Sequence, residues 1–168
     1  LSSEQHRLLD VLRTRMQRRG AGLPQEAKAR LAEINARLAA LSSQYNQNLI
    51  HEAGSQAVFI EDESGLDGLP SALRQAAATA ATERGRPGIW AIPNARGSVW
   101  PFLTLATRRD LREQVWHMWT DRGDNAGPHD NKPIAAEMLQ LRGELARLMG
   151  CPSYAHFALA DRMARTPE

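Results

Sequence analysis

The sequence predicts a mainly α protein: a helical array with long antiparallel helices and at most a small β element near residues 57–60 and 88–92. Three observations carry this reading. Ala, Leu, Glu, Gln and Arg are plentiful, and they favour helix, while aromatics make up only 5% of the 168 residues. Apolar residues recur at steps of three and four over long stretches. Ser, Pro and Gly stand where such stretches should start and stop.

The first helix is predicted from about Ser2 to Arg19. Ser2 and Gln5 have the spacing of a capping box, and Leu8, Leu9, Leu12 and Met16 form an apolar stripe. Gly20-Ala-Gly22 ends it. Pro24 suits a first helical position, with Glu26 behind it at the favourable end of the dipole. The second helix then runs to about Glu52 and stops before Gly54. Its stripe is Ala27, Leu31, Ile34, Leu38, Leu41, Tyr45 and Leu49, which describes one buried face. The short join between the two helices argues for an antiparallel hairpin.

Ala57-Val-Phe-Ile60 reads as a short strand, and Glu61 to Gly68 as an acidic turn region. Pro70 opens an Ala-rich third helix that reaches Ala81 and is closed by Gly85. Gly88 to Pro93 is a second extended piece that can pair with the segment near Phe59. Pro101 to Ala106 reads as a short helix. Thr107 with Asp110 starts another, carrying Leu111, Val115 and Met118. Gly123 to Lys132 is a polar loop. Pro133 opens a helix ending at Met149 and Gly150, and Ser153 caps a last one through about Met163. Without a clear linker, residues 1–168 are expected to form a single helical unit. The opening Leu1-Ser-Ser-Glu4 and the closing Arg165-Thr-Pro-Glu168 raise the expectation of a partial-length segment of a larger fold.

Composition narrows the function. Hydrophobic content of 42% and charged content of 24% are those of a globular protein. A formal charge of +2 does not call for nucleic acid or an anionic membrane, and no apolar run reaches the length of a membrane helix. Cys151 is the lone cysteine, so no internal disulfide can form.

No complete catalytic or metal-binding constellation is present. His51-Glu52 begins like His-Glu-x-x-His, but Ser55 stands where the second histidine is needed. Glu113, His117 and Asp121 share a helical face, yet a closed zinc site wants four donors. His6 with Asp10 has the same spacing and reads as a local pair. His129-Asp130 lies in a loop, and His156 reads as packing or capping. Ser55, Ser64 and Ser98 touch glycines, but none lies in Gly-x-Ser-x-Gly. Cys151 reads as a small buried residue. The basic groups Arg13, Arg15, Arg18 and Arg19, and Arg108, Arg109 and Arg112, read as solvated helix faces, while Trp116 and Trp119 read as core. The expected catalytic, cofactor-binding and metal residues within this chain are therefore none.

The order of segments adds a resemblance. Leu31-Ala-Glu-Ile-Asn-Ala-Arg-Leu-Ala-Ala-Leu-Ser-Ser-Gln-Tyr-Asn-Gln-Asn-Leu49 resembles the long helix before the catalytic region in the thimet oligopeptidase family of zinc peptidases. The likeness is strongest to the bacterial peptidyl-dipeptidase and oligopeptidase A branch. Leu66-Asp-Gly-Leu-Pro70, Arg109-Asp-Leu-Arg-Glu113, Asp130-Asn131 and Leu141-Arg-Gly-Glu-Leu-Ala-Arg-Leu-Met-Gly150 recur there in this order. So do Tyr154 and the closing Ala160-Asp-Arg-Met-Ala-Arg-Thr-Pro-Glu168.

The resemblance implies a non-catalytic helical portion, scaffold and channel wall, of an enzyme that hydrolyses short peptides. In that family one zinc ion activates water, held by His-Glu-x-x-His and a later glutamate. No position here matches those ligands. Zinc is thus expected in the parent protein and no cofactor in this stretch, which alone should be inactive. The cytoplasm is the expected compartment, with the periplasm as the alternative. The expected partners are short peptides, with neither nucleic acid nor membrane, and the chain is expected to self-associate through exposed apolar surface. The competing reading is a helical protein-interaction module with no enzymatic role.

Overall fold

The computed structural model describes residues 1–168. Seven α-helices dominate: α1 (Ser3–Arg18), α2 (Gln25–Ser55), α3 (Ser71–Glu83), α4 (Arg96–Leu105), α5 (Arg109–Thr120), α6 (Lys132–Leu148) and α7 (Tyr154–Leu159). The strands β1 (Ala57–Ile60) and β2 (Trp90–Pro93) form a two-stranded antiparallel sheet with Phe59 opposite Ala91. The mainly α class and the small β element are as the sequence predicts. Contacts divide the chain into two compact units, one of residues 1–43 with 133–168 and one of residues 44–132.

In the first unit, Ser2 caps α1 through the reciprocal box with Gln5. The stripe of α1 is not buried, however. Leu8 is 58% exposed, Met16 is 60% exposed, and no residue of this helix is buried. α6 runs antiparallel to α2. Arg30 pairs with Glu144 at 2.7 Å and Arg37 pairs with Glu137 at 2.6 Å, so seven residues forward on α2 match seven back on α6. Leu31 and Ile34 pack with Leu145 between these pairs, and Tyr154 and Phe157 of α7 close that cluster. The C-terminal end of α1 is held by Arg18, which donates to the Phe157 carbonyl at 2.6 Å and meets Asp161 at 3.4 Å. Ser153 caps α7 as predicted, but the helix ends at Leu159 instead of Met163.

The second unit has the larger apolar core. Ile60, Leu66, Leu69, Ile92, Val99, Phe102 and Val115 are buried together, with Ala77 of α3 on its close-packed face. Burying a side chain such as Phe102 stabilises by about 1.5–3 kcal/mol, which explains why α4 begins at Arg96 and continues through Pro101. Proline removes one helical hydrogen bond, but Val99 and Phe102 reach the core only if the turn before it is helical. The predicted start at Pro101 is thus five residues late. The predicted Thr107–Asp110 start also differs. Thr107 donates instead to the Asp67 carbonyl, Arg108 is the N-cap without a side-chain bond, and Asp110 pairs with Arg108. Gly68 sits at φ +87°, and a Cβ there would lie 2.1 Å from the Leu105 carbonyl oxygen, so the run Leu66–Pro70 requires glycine at this point.

Candidate functional site

The polar chemistry of the second unit gathers where α2 meets the loop 121–131. α2 passes Gly54 without ending: the Gln56 amide donates to the Glu52 carbonyl, and the Ser55 hydroxyl to that of His51. Beyond Tyr45 the buried positions are Asn48 and Glu52, where the sequence stripe places Leu49. Glu52 is only 2% exposed. Its carboxylate accepts from the Gly123 amide at 2.7 Å and from the Asn125 side-chain amide. A buried carboxylate without a cation is tolerated because two donors serve it.

Asn131 completes the arrangement. Its side-chain amide donates to the Tyr45 carbonyl at 3.2 Å, its oxygen accepts from Asn48 at 2.9 Å, and its backbone amide donates to the Gly123 carbonyl at 2.8 Å. Gly123 lies at φ +73°, with the Asn131 side chain 3.0 Å from where a Cβ would stand. The loop is thereby clamped at both ends onto one helix face. His129 is carried on the clamp. Its Nδ1 lies 3.3 Å from the Asn48 oxygen, which can only accept, so that nitrogen donates. The rings of His129 and His51 meet with centroids 3.9 Å apart and planes tilted by 33°. Two histidines far apart in sequence thus meet, but as tilted rings in contact, and Glu52 is committed to the loop.

The other candidates stay apart. His117 and Asp121 are 3.6 Å apart and more than half exposed, and Glu113 lies one turn back beside Arg109 and Arg112. His6 bonds the Ser2 carbonyl and not Asp10. His156 touches the Ser153 hydroxyl at 2.8 Å, and Asp130 bonds the Lys132 amide. The Ser55 hydroxyl bonds its own helix, and Ser64 gives its backbone amide to the Asp62 carboxylate, which lowers the Asp62 pKa. Ser98 lines a small apolar cavity of about 60 Å³ beside Phe102. Cys151 is half-buried, with its thiol 3.8 Å from the Met149 carbonyl. Trp119 packs on the core as expected, but Trp116 faces outward and is 51% exposed. No three His, Cys, Asp or Glu side chains converge as metal ligands would, so these residues do not fit the zinc that the resemblance implies.

The sequence reading missed Asn48 and undervalued Asn131. A signal existed: the steps 41, 45, 48, 52 continue the helical stripe as well as 41, 45, 49 does, and they lead to Asn48 and Glu52.

The electrostatics are those of tied surfaces. The guanidinium of Arg108 holds the Asp110 carboxyl down to about 2. Hydrogen bonds from Arg30 and Arg37 lower Glu144 and Glu137 and raise the arginines in turn. No helix is long and apolar enough to cross a membrane.

Comparison with known proteins bears out the resemblance. The model of Peptidase family M3 matches residues 102–168. Dipeptidyl carboxypeptidase of Salmonella typhimurium is 34% identical over 168 residues, which is 100% of this chain and 25% of that protein. Oligopeptidase A of the same organism is 34% identical over 172 residues, again 100% and 25%. Oligopeptidase A of Haemophilus influenzae is 37% identical over 153 residues, 89% of this chain and 22% of the relative. The chain thus spans about a quarter of the length of the curated relatives it matches, and those relatives are peptidases.

Proposed function

Taking an M3-type peptidase as the protein to which this chain contributes, we propose that these residues are a helical scaffold and substrate-channel wall without catalytic groups of their own. The whole protein, on this reading, is a zinc-dependent hydrolase of short peptides, with release of C-terminal dipeptides as one form of that activity. The observation that carries the reading is the end-to-end likeness to dipeptidyl carboxypeptidase and oligopeptidase A. The clamp of Glu52 and Asn131 supports it, since buried polar ties that hold a loop to a long helix suit a rigid wall. The 168 residues act as one helical unit of a larger fold, with the zinc ligands supplied outside them and the cytoplasm as compartment. The test compares two proteins. The full protein should hydrolyse short peptides and lose that activity to a chelator, whereas the 168 residues alone should neither bind stoichiometric zinc nor hydrolyse. Zinc-dependent hydrolysis by the 168 residues alone would overturn the proposal.

A second reading is an interaction module, and one observation favours it: the exposed stripe Leu8, Leu9, Leu12 and Met16 of α1. A tight protein partner captured through α1 by a full protein that has no peptidase activity would support it.

A further inference from the structure

The two edges of the small sheet are not alike. An antiparallel ladder alternates between pairs that exchange hydrogen bonds and pairs that turn their N–H and C=O groups outward. The register sets Ala57 opposite Pro93, Val58 opposite Ile92, Phe59 opposite Ala91 and Ile60 opposite Trp90. Pro93 has no N–H to give, and next to it the Asn94 amide donates to the Gln56 carbonyl at 3.1 Å. The bonded pairs are therefore Gln56 with Asn94, Val58 with Ile92 and Ile60 with Trp90. Ala57 and Phe59 point their amides and carbonyls away from β2, and these groups find no backbone partner in residues 1–168.

The β2 edge is closed. Pro93 lacks a donor, its carbonyl accepts from the Ala95 amide at 2.7 Å, and α3 packs along the strand with Ala91 fully buried. β1 has no such cover. α5 reaches it through the core face, where Leu111 and Val115 join Val58 and Ile60. Charge, proline and bulges are the usual guards of an edge. Ala57-Val-Phe-Ile60 carries no charge and no proline, and its register is unbroken. The nearest charges are tied to each other: Arg86 lies over the Phe59 ring at 4.4 Å and pairs with Glu61 at 2.9 Å.

We infer that the outer edge of β1 takes a third strand, contributed by a part of the same protein outside residues 1–168. Unpaired amides and carbonyls along an extended apolar segment recognise another extended backbone, because only that presents donors and acceptors at the same spacing. A third strand also strengthens a two-stranded ribbon, which is marginal by itself. A segment of the same protein is favoured over a separate chain. The chain spans about a quarter of the relatives it matches, and a tethered strand acts at an effective concentration of about millimolar. The pleat fixes the occupant's pattern. Its side chains next to Val58 and Ile60 are apolar, because they join the buried core, and the one next to Phe59 is β-branched or aromatic. The inference uses the length of the relatives and not their activity, so it stands apart from the peptidase reading.

The experiment uses the full protein. Hydrogen exchange resolved to single amides compares Ala57 and Phe59, which face the outer edge, with Val58 and Ile60, which are bonded to β2. With a third strand in place, the outer amides should exchange within about tenfold of the inner ones. Outer amides that exchange more than about a hundredfold faster than the inner ones would show an open edge and overturn the inference. Ala57→Pro removes one outward N–H and no bond to β2. It should speed exchange at Phe59 while Val58 and Ile60 stay slow, and an unchanged rate at Phe59 would count against a third strand. The occupant is identified by placing the photoreactive residue benzoylphenylalanine at position 59 and mapping the cross-link by mass spectrometry. A cross-link within one polypeptide, to an extended segment outside residues 1–168, is the expected result. A cross-link confined to residues 1–168, to a second copy or to a separate protein would overturn the assignment.

Discussion

In residues 1–43 and 133–168, the buried cluster is small, built on Leu31, Ile34 and Leu145, and the helices meet along exposed arginine–glutamate pairs. In residues 44–132, nine buried residues form one core, and the buried carboxylate of Glu52 ties down a loop. The contrast separates two tasks. Exposed ion pairs are solvated and screened, so those between α2 and α6 set register more than they stabilise. Burial of Phe102 and the satisfied donors around Glu52 carry the stability of residues 44–132, because removing them leaves a cavity or an unpaired polar group.

The hardest blow to this contrast is Phe102→Ala. It should cost about 3–5 kcal/mol in urea unfolding. Amide exchange should show residues 44–132 losing protection before the pairs of α2 and α6 do, and uniform loss would contradict the division. Glu52→Ala comes next, at about 1–3 kcal/mol, because it orphans the Gly123 amide and the Asn125 side chain. Its signature is faster exchange at Gly123. An unchanged rate there would mean that the clamp does not hold the loop.

Arg37→Ala should lower the thermal midpoint only slightly, and the difference should vanish at high salt. A deficit that persists at high salt would give these pairs a larger role. Smaller still is the effect of acid on Asp110. Its carboxyl normally titrates near 3.8 and is lowered to about 2 by Arg108. The pair's contribution is therefore present above 3.8 and is lost as pH falls through about 2. In a carboxyl NMR titration, Arg108→Gln should return the midpoint toward 3.8. Last, Leu9→Ser with Leu12→Ser should leave stability unchanged and abolish any self-association seen by light scattering. A monomeric parent chain at high concentration would refute association through α1.

Helix positions were legible wherever a local signal sufficed. Ser2 with Gln5, Ser153 and Gly150 each act within a turn, so their caps follow from spacing alone. The candidate site was legible only in part. His51 and His129 are 78 positions apart, and nothing local says that their rings meet. Asn131 was visible as part of a recurring run, but its bonds to Tyr45 and Asn48 belong to tertiary structure. Boundaries failed where burial outweighed propensity, as at Pro101 within α4 and Gly54 within α2.

By itself the sequence determined the mainly α class, the small β element near residues 57–60 and 88–92, and the likeness to M3 peptidases. Each rests on periodicity, short-range turn chemistry or ordered motifs, which are properties of the linear chain. Only the tertiary structure decided that α6 runs antiparallel to α2 and that the apolar stripe of α1 stays exposed, because periodicity cannot tell a buried stripe from an uncovered one. It also decided that Glu52 faces inward. A carboxylate at a helix end reads as solvent-exposed until two donors from a loop 71 and 73 residues away are found to meet it.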